Sequence, residues 1–218
     1  MTRRRSPVKA DASSPFRLHC LSSIRPPDVL GRRILITGDI NTGKTTLSKA
    51  ILDALCASRL SSRIAVVDMA PEIPEEVAVE RDVLGVGGKL LSDDKEVLYL
   101  ASPLRPPRLS ARTEKEALLI AEENREKIAV LLKTFASSGR DILFVNDVSL
   151  YLHAGTTERL MRYMAAATTI VANGYYGEKL GSGIVSLREA TEMRKLIDAF
   201  LCHITLPAAS LGQKPSVT

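Results

Sequence analysis

Cysteine is scarce in this chain of 218 residues. Cys20, Cys56 and Cys202 are odd in number, far apart and without CxxC spacing. That argues against a disulfide scaffold and against a cysteine zinc site. Reduced thiols in a cytoplasmic compartment are the reading left. Histidine is equally sparse, and His19, His153 and His203 include no i, i+4 pair to grip a metal. No apolar run approaches the roughly 20 residues of a membrane span, so no spanning helix is expected. The N-terminal head has no apolar core of the signal-peptide kind, although its Arg- and Ser-bearing, acid-poor make-up is compatible with an organelle transit peptide. No internal repeat is evident.

What is present is globular in proportion: 45% hydrophobic and 25% charged residues. The length suits one compact domain with tails. The formal charge of +5 is unevenly spread. Residues 1–33 hold eight bases and two acids, so the rest of the chain is close to neutral. A neutral body does not hold nucleic acid by bulk charge. Residues 1–30 carry Pro7, Pro15, Pro26 and Pro27 among Ser and Arg, and read as a basic disordered arm. Residues 31–206 read as the domain, and 207–218 as a loose tail.

Within the domain, apolar strands alternate with helical patterns. Strands are expected at 33–37, 63–68, 97–100, 142–145, 168–171 and 202–206, with helices at 44–60, 113–137, 156–166 and 187–201. Thr113 and Glu116 have capping-box spacing, as do Ser186 and Glu189. Strands alternating with helices imply an α/β fold: a parallel sheet with helices on both faces. Such sheets bind ligands at the carboxyl ends of their strands.

One motif sits at such an end. Gly38-Asp39-Ile40-Asn41-Thr42-Gly43-Lys44-Thr45, followed by Thr46, fits G-x-x-x-x-G-K-[ST], the Walker A pattern, in full. A polyphosphate needs inward-facing backbone N–H groups that no side chain blocks, which glycine permits. The helix that follows presents its positive end. Lys44 supplies a cation for the β and γ phosphates, and the Thr45 hydroxyl a ligand for Mg²⁺. The expected fold is that of P-loop nucleoside triphosphate hydrolases, and the expected ligands are ATP or GTP with Mg²⁺. Magnesium also wants an acid across from the loop. Asp68 and Asp147 both close strands and are the candidates, with Asp68 placed as metal ligand and both as catalytic. Asp141 precedes its strand and reads as structural.

The order of these parts resembles the SIMIBI division of P-loop NTPases, and more closely the P-loop core of RNA 5′-hydroxyl polynucleotide kinases of the pre-mRNA cleavage factor type. The likeness runs over residues 32–175. There a strand ends in D-x-D-x-G-Q, a Gly-bearing loop follows, then a strand ending in Ser-Pro, then a long helix. This chain offers Asp68-Met69-Ala70-Pro71-Glu72, Gly85 to Gly88, Ala101-Ser102-Pro103 and the helix from Thr113. The family's second acid, Gly and Gln are missing from this stretch, which continues Ala70-Pro71-Glu72, and Glu72 or Glu75 is a candidate replacement. The resemblance implies kinase chemistry on a phosphoryl acceptor, a nucleic-acid end among the options.

Three further segments are candidates for a second substrate. Arg105, Arg108 and Arg112 lie in a Pro-rich loop that reads as a cationic lid. His153 is a candidate base or substrate-orienting group. Asn173-Gly174-Tyr175-Tyr176 follows the fifth strand where related GTPases read their base with N-K-x-D. Asn173 fits its first position, and a Tyr stacked on a nucleobase is one further option. Three functions follow: a Mg²⁺-dependent kinase or NTPase that transfers or hydrolyses the γ-phosphoryl group; an ATPase or GTPase switch of the partitioning or metal-insertion type, with a homodimer and a protein partner among the options; and a nucleotide-sensing module with little turnover.

Overall fold

The computed structural model describes residues 25–73, 79, 87–177 and 183–207. Six strands form one sheet: β1 (Arg33–Gly38), β2 (Ile64–Asp68), β3 (Leu98–Ala101), β4 (Ile142–Asn146), β5 (Thr169–Tyr175) and β6 (Cys202–Leu206). Their order is β3-β2-β4-β5-β1-β6, and every pairing is parallel. The carboxyl ends of all six strands therefore share one edge of the sheet. Seven α-helices lie among the described residues: α1 (Pro26–Val29), α2 (Lys44–Ala57), α3 (Pro107–Ser110), α4 (Glu114–Ala136), α5 (Ser149–Leu152), α6 (Thr157–Tyr163) and α7 (Ile184–Ala199).

The inner strands β1, β2, β4 and β5 are apolar on both faces because helices cover both, whereas the edge strands β3 and β6 are only partly buried. Side chains alternate along a strand, so neighbouring residues join different layers. Ile34, Ile36, Val66, Phe144 and Val171 pack with Leu47, Ile51, Leu52 and Leu55 of α2 and with Val29 of α1. Leu35, Val67, Val145, Ile170 and Ala172 face the opposite way, onto Ile128, Leu132 and Phe135 of α4 and Met193 and Leu196 of α7. Each such buried Val, Leu, Ile, Phe or Met side chain contributes about 1.5–3 kcal/mol. The α/β class, with helices on both faces of a parallel sheet, is as expected.

Helix α4 begins where its cap predicts, with the Thr113 hydroxyl accepting from Glu116 N. Elsewhere the boundaries move for identifiable reasons. Strand β5 runs four residues past the expected end, because its pairing with β1 continues from Ile36↔Asn173 to Gly38↔Tyr175. Helix α7 starts at Ile184 after Gly183, so Ser186 is inside the helix rather than its cap. The short helices α1, α3 and α5 carry too few residues to show a period. Of the expected basic arm, residues 1–24 lie outside the described residues, as does all of the expected tail but Pro207, while α1 buries Val29 in the core layer beside α2. Among the described residues no helix is long and apolar enough to cross a membrane.

Candidate functional site

The loop between β1 and α2 is built by two glycines with different tasks. Gly43 caps α2 in the left-handed region, at φ +86°, with open space around it, so conformation alone requires glycine there. At Gly38 the constraint is contact: a Cβ would lie 2.7 Å from Leu206 O and 2.7 Å from Thr42 Oγ1. Asn41 also takes a positive φ, +57°, which Asn tolerates better than most residues. The Thr42 hydroxyl donates to Asp39 O at 3.0 Å, and the Asp39 carboxylate accepts from Ile40 N at 2.7 Å. Lys44 folds back and donates to Asp39 O. Burial lowers the pKa of its ammonium, while Asp147 and Asp39 oppose the shift.

This loop forms one wall of a cleft of about 620 Å³. Residues Ile40 to Thr46 line it, with Asn146, Asp147 and Asn173 at the strand ends, Pro106 to Leu109 on one side, and Ser149, His153 and Glu189 beyond. Asp147 sits just past β4 in a left-handed conformation, φ +56°. Its N–H donates to Asn173 Oδ1 at 3.1 Å, and its Oδ1 accepts from Ser149 Oγ at 2.9 Å. Burial pushes its carboxyl pKa up, with Ser149, Lys44 and Arg108 pulling it back. Asp147 is therefore the acid that the fold presents opposite Lys44.

The second predicted acid stands elsewhere. Asp68 is fully buried and absent from the cleft wall. Its Oδ1 accepts from Ala70 N at 3.0 Å and Asn146 Nδ2 at 2.9 Å, and its Oδ2 from Leu90 N at 2.7 Å and the Tyr99 hydroxyl at 2.8 Å. Burial, then the charge of Asp68, pushes the Tyr99 phenol pKa up and keeps it a donor. Four donors occupy this carboxylate, so it fastens β2 to β3, β4 and the segment at Leu90.

Asn146 reaches the place where Asp68 was expected, which the sequence reading missed. Its Nδ2 also donates to Gly88 O at 2.8 Å, and its Oδ1 accepts from Thr45 Oγ1 at 3.4 Å and Asn173 Nδ2 at 3.0 Å. Asn173 donates further to Ser48 Oγ at 2.9 Å. Asn173 thus ties β4 to α2 from inside β5 and lines the cleft as well. The only signal for Asn146 in the sequence was its position beside Asp147 at a strand end.

Of the three loop arginines, only Arg108 reaches the cleft; the Arg105 and Arg112 side chains are exposed. The loop is tied down rather than free. Asn124 of α4 donates to Arg105 O at 2.7 Å and accepts from Arg105 N at 3.2 Å, and Lys127 donates to Pro103 O at 3.0 Å. The Arg108 guanidinium pairs with Glu189 Oε2, donates to Ser186 Oγ at 2.8 Å, and lies 5.5 Å from the Tyr175 ring centroid. The three-arginine lid is therefore replaced by one anchored arginine. Tyr175 is a buried β5 residue partnered by that arginine. Glu72 is exposed, and Glu75 lies outside the described residues. Asp141 lies at the far end of β4 and receives both Nε and Nη2 of Arg63, at 2.9 and 2.6 Å.

Among the described residues no group of three or more His, Cys, Asp or Glu could hold a metal ion. A nucleotide-bound Mg²⁺ does not require one, since phosphate oxygens and water fill most of its octahedron. The Thr45 and Asp147 side chains, both bearing hard oxygens, line the same cleft.

No protein-family model matches the chain, and no curated protein sequence matches it. Among solved structures it is similar to the flagellar accessory protein FlaH from Methanocaldococcus jannaschii, with a TM-score of 0.41 and 16% identity over 75% of this chain and 69% of that one. A likeness of that degree does not extend to activity or ligand.

Proposed function

We propose that the chain binds a Mg²⁺–nucleoside triphosphate, ATP or GTP, and hydrolyses it or transfers its γ-phosphoryl group. The observation that carries this reading is the strand–loop–helix unit itself. A full G-x-x-x-x-G-K-T segment wraps the N-terminus of α2, with Gly43 left-handed at the cap and Lys44 facing Asp147 across one cleft.

The roles follow from position. The loop N–H groups and Lys44 hold phosphate oxygens, and a ligand displaces Lys44 from Asp39 O. Thr45 and Asp147 would hold Mg²⁺, which supplies charge neutralisation on the phosphates when bound. Asn146 orients Thr45, and Asp68 holds Asn146. Arg108 lies beside Asp147 and is fixed by Glu189, which suits it to a constant field more than to a moving lid.

Incubation with Mg²⁺ and γ-labelled ATP or GTP tests this. Labelled phosphate or a labelled acceptor is expected, and both vanish on chelation of the metal. Asp147→Asn is expected to keep nucleotide binding and lose turnover. Full turnover in that variant would contradict the assignment of its role.

A further inference from the structure

The cleft continues past the phosphate loop. Its far end is walled by His153, which closes α5, and by Glu189, in the second turn of α7. Each is only 3% exposed, yet each lines the cleft. Among the described residues, neither ring nitrogen of His153 has a hydrogen-bond partner, and neither has Glu189 Oε1. His153 Nε2 is 3.3 Å from Oε1 without the alignment of a hydrogen bond. Buried polar atoms are normally paired, because an unpaired one forfeits its hydration for nothing. Three such atoms at one end of a cleft mark a place where a ligand supplies the missing bonds.

We propose that this end of the cleft binds the hydroxyl group of a small uncharged alcohol, the acceptor of the γ-phosphoryl group. The proposal rests on the nucleotide reading above. A hydroxyl both donates and accepts, so it can donate to Glu189 Oε1 and accept from the N–H of His153. An ammonium only donates, and the Arg108 guanidinium already on Glu189 disfavours a second cation beside it. A carboxylate or phosphate is disfavoured for a different reason. The nearby cation, Arg108, is taken up by Glu189 Oε2 and Ser186, and the Glu189 carboxylate faces any anion placed there. Burial, with Arg108 adding to it, holds His153 neutral. Leu150 and Pro107 on the same wall suit a carbon frame.

In the transfer, the hydroxyl oxygen forms a bond to the γ-phosphorus. The bond from that phosphorus to the β,γ-bridging oxygen breaks, and its electron pair stays on the nucleoside diphosphate. The hydroxyl proton passes to Glu189 Oε1 and then to solvent, leaving a phosphomonoester.

The test uses the full chain, ¹⁵N-labelled, with Mg²⁺ and a non-hydrolysable ATP analogue. Glycerol, ribose, myo-inositol and uridine are titrated while the histidine ring nitrogens are observed, each histidine being assigned by substitution. Transfer from γ-labelled ATP is then measured to the same compounds, to glycerate and to a 5′-hydroxyl oligonucleotide, with calorimetry of ATP alongside. At least one neutral alcohol is expected to shift the His153 nitrogens and take the label. His153→Gln is expected to raise the KM for that alcohol about tenfold, with the KM for ATP changed less than about twofold. If ATP binds but no neutral alcohol shifts His153 or takes label, the proposal is overturned. Label on glycerate alone or on the oligonucleotide alone overturns it too. If ATP does not bind, the nucleotide reading fails, and the wild-type ring-nitrogen titration still decides the pocket: a shift by a neutral alcohol supports a hydroxyl site, and silence removes it.

Discussion

Replacing Asp68 by Asn preserves volume and shape and removes one charge, and it separates two accounts of this residue. If Asp68 were a metal ligand facing the cleft, the apo protein would lose little stability or gain some, since a partly desolvated charge would be gone. The structure points to the opposite result. Four donors converge on the carboxylate, two on each oxygen. An amide can present an acceptor to only one pair, and its NH₂ then faces the other. With the NH₂ toward Leu90 N and Tyr99, the hydroxyl can turn to accept, but Leu90 N–H is left unpaired. With the NH₂ toward Ala70 N and Asn146, the Asn146 amide must flip and give up Gly88 O and Thr45. One stranded buried donor costs about 1–3 kcal/mol, and the remaining bonds lose their charge-assisted strength. A net loss of about 2–4 kcal/mol follows, a drop of roughly 6–12 °C in Tm for a domain of this size. Thermal and urea unfolding of the nucleotide-free protein measure it. An unchanged or raised Tm would refute the anchoring role and return Asp68 to the metal.

Two further outcomes are expected. Glu189→Ala strands the buried Arg108 charge and should cost about 3–5 kcal/mol in urea unfolding, whereas adding Arg108→Leu should restore much of that loss; purely additive losses would deny the coupling. His153 is neutral in the fold, its pKa held well below 6.5 by burial and by Arg108, with Glu189 as its other charged neighbour. The unfolded chain therefore takes up a proton on this residue as pH falls through 6.5 while the folded chain does not. Stability falls on that side by up to about 1.4 kcal/mol per pH unit, and His153→Gln should lessen the slope; identical slopes would contradict a neutral buried imidazole.

The sheet was legible because its inner strands are short apolar runs bounded by turn residues, and burial on both their faces leaves few polar interruptions. Thr113 announced α4 for a local reason, a hydroxyl three residues before an acid. The same spacing at Ser186 and Glu189 misled, because Glu189 is claimed by Arg108 from a loop some 80 positions away and no local pattern records that. The phosphate loop was legible since its chemistry lies in consecutive residues. The acids were not, because whether Asp68 or Asp147 meets the cleft depends on who donates to each. Leu90 and Tyr99 claim Asp68 from across the sheet edge, and the left-handed turn at Asp147 frees its carboxyl for the cleft. His153 looked like one lone histidine until the fold set it opposite Glu189.

Calorimetric titration of Mg²⁺–ATP and Mg²⁺–GTP into the wild-type chain and Lys44→Ala tests the central claim most directly. Saturable binding of at least one nucleotide by the wild type is expected, with affinity weakened at least about a hundredfold in Lys44→Ala and unfolding curves that show the variant still folded. Equal affinities in the two proteins, or no binding of either nucleotide by the wild type, would contradict it.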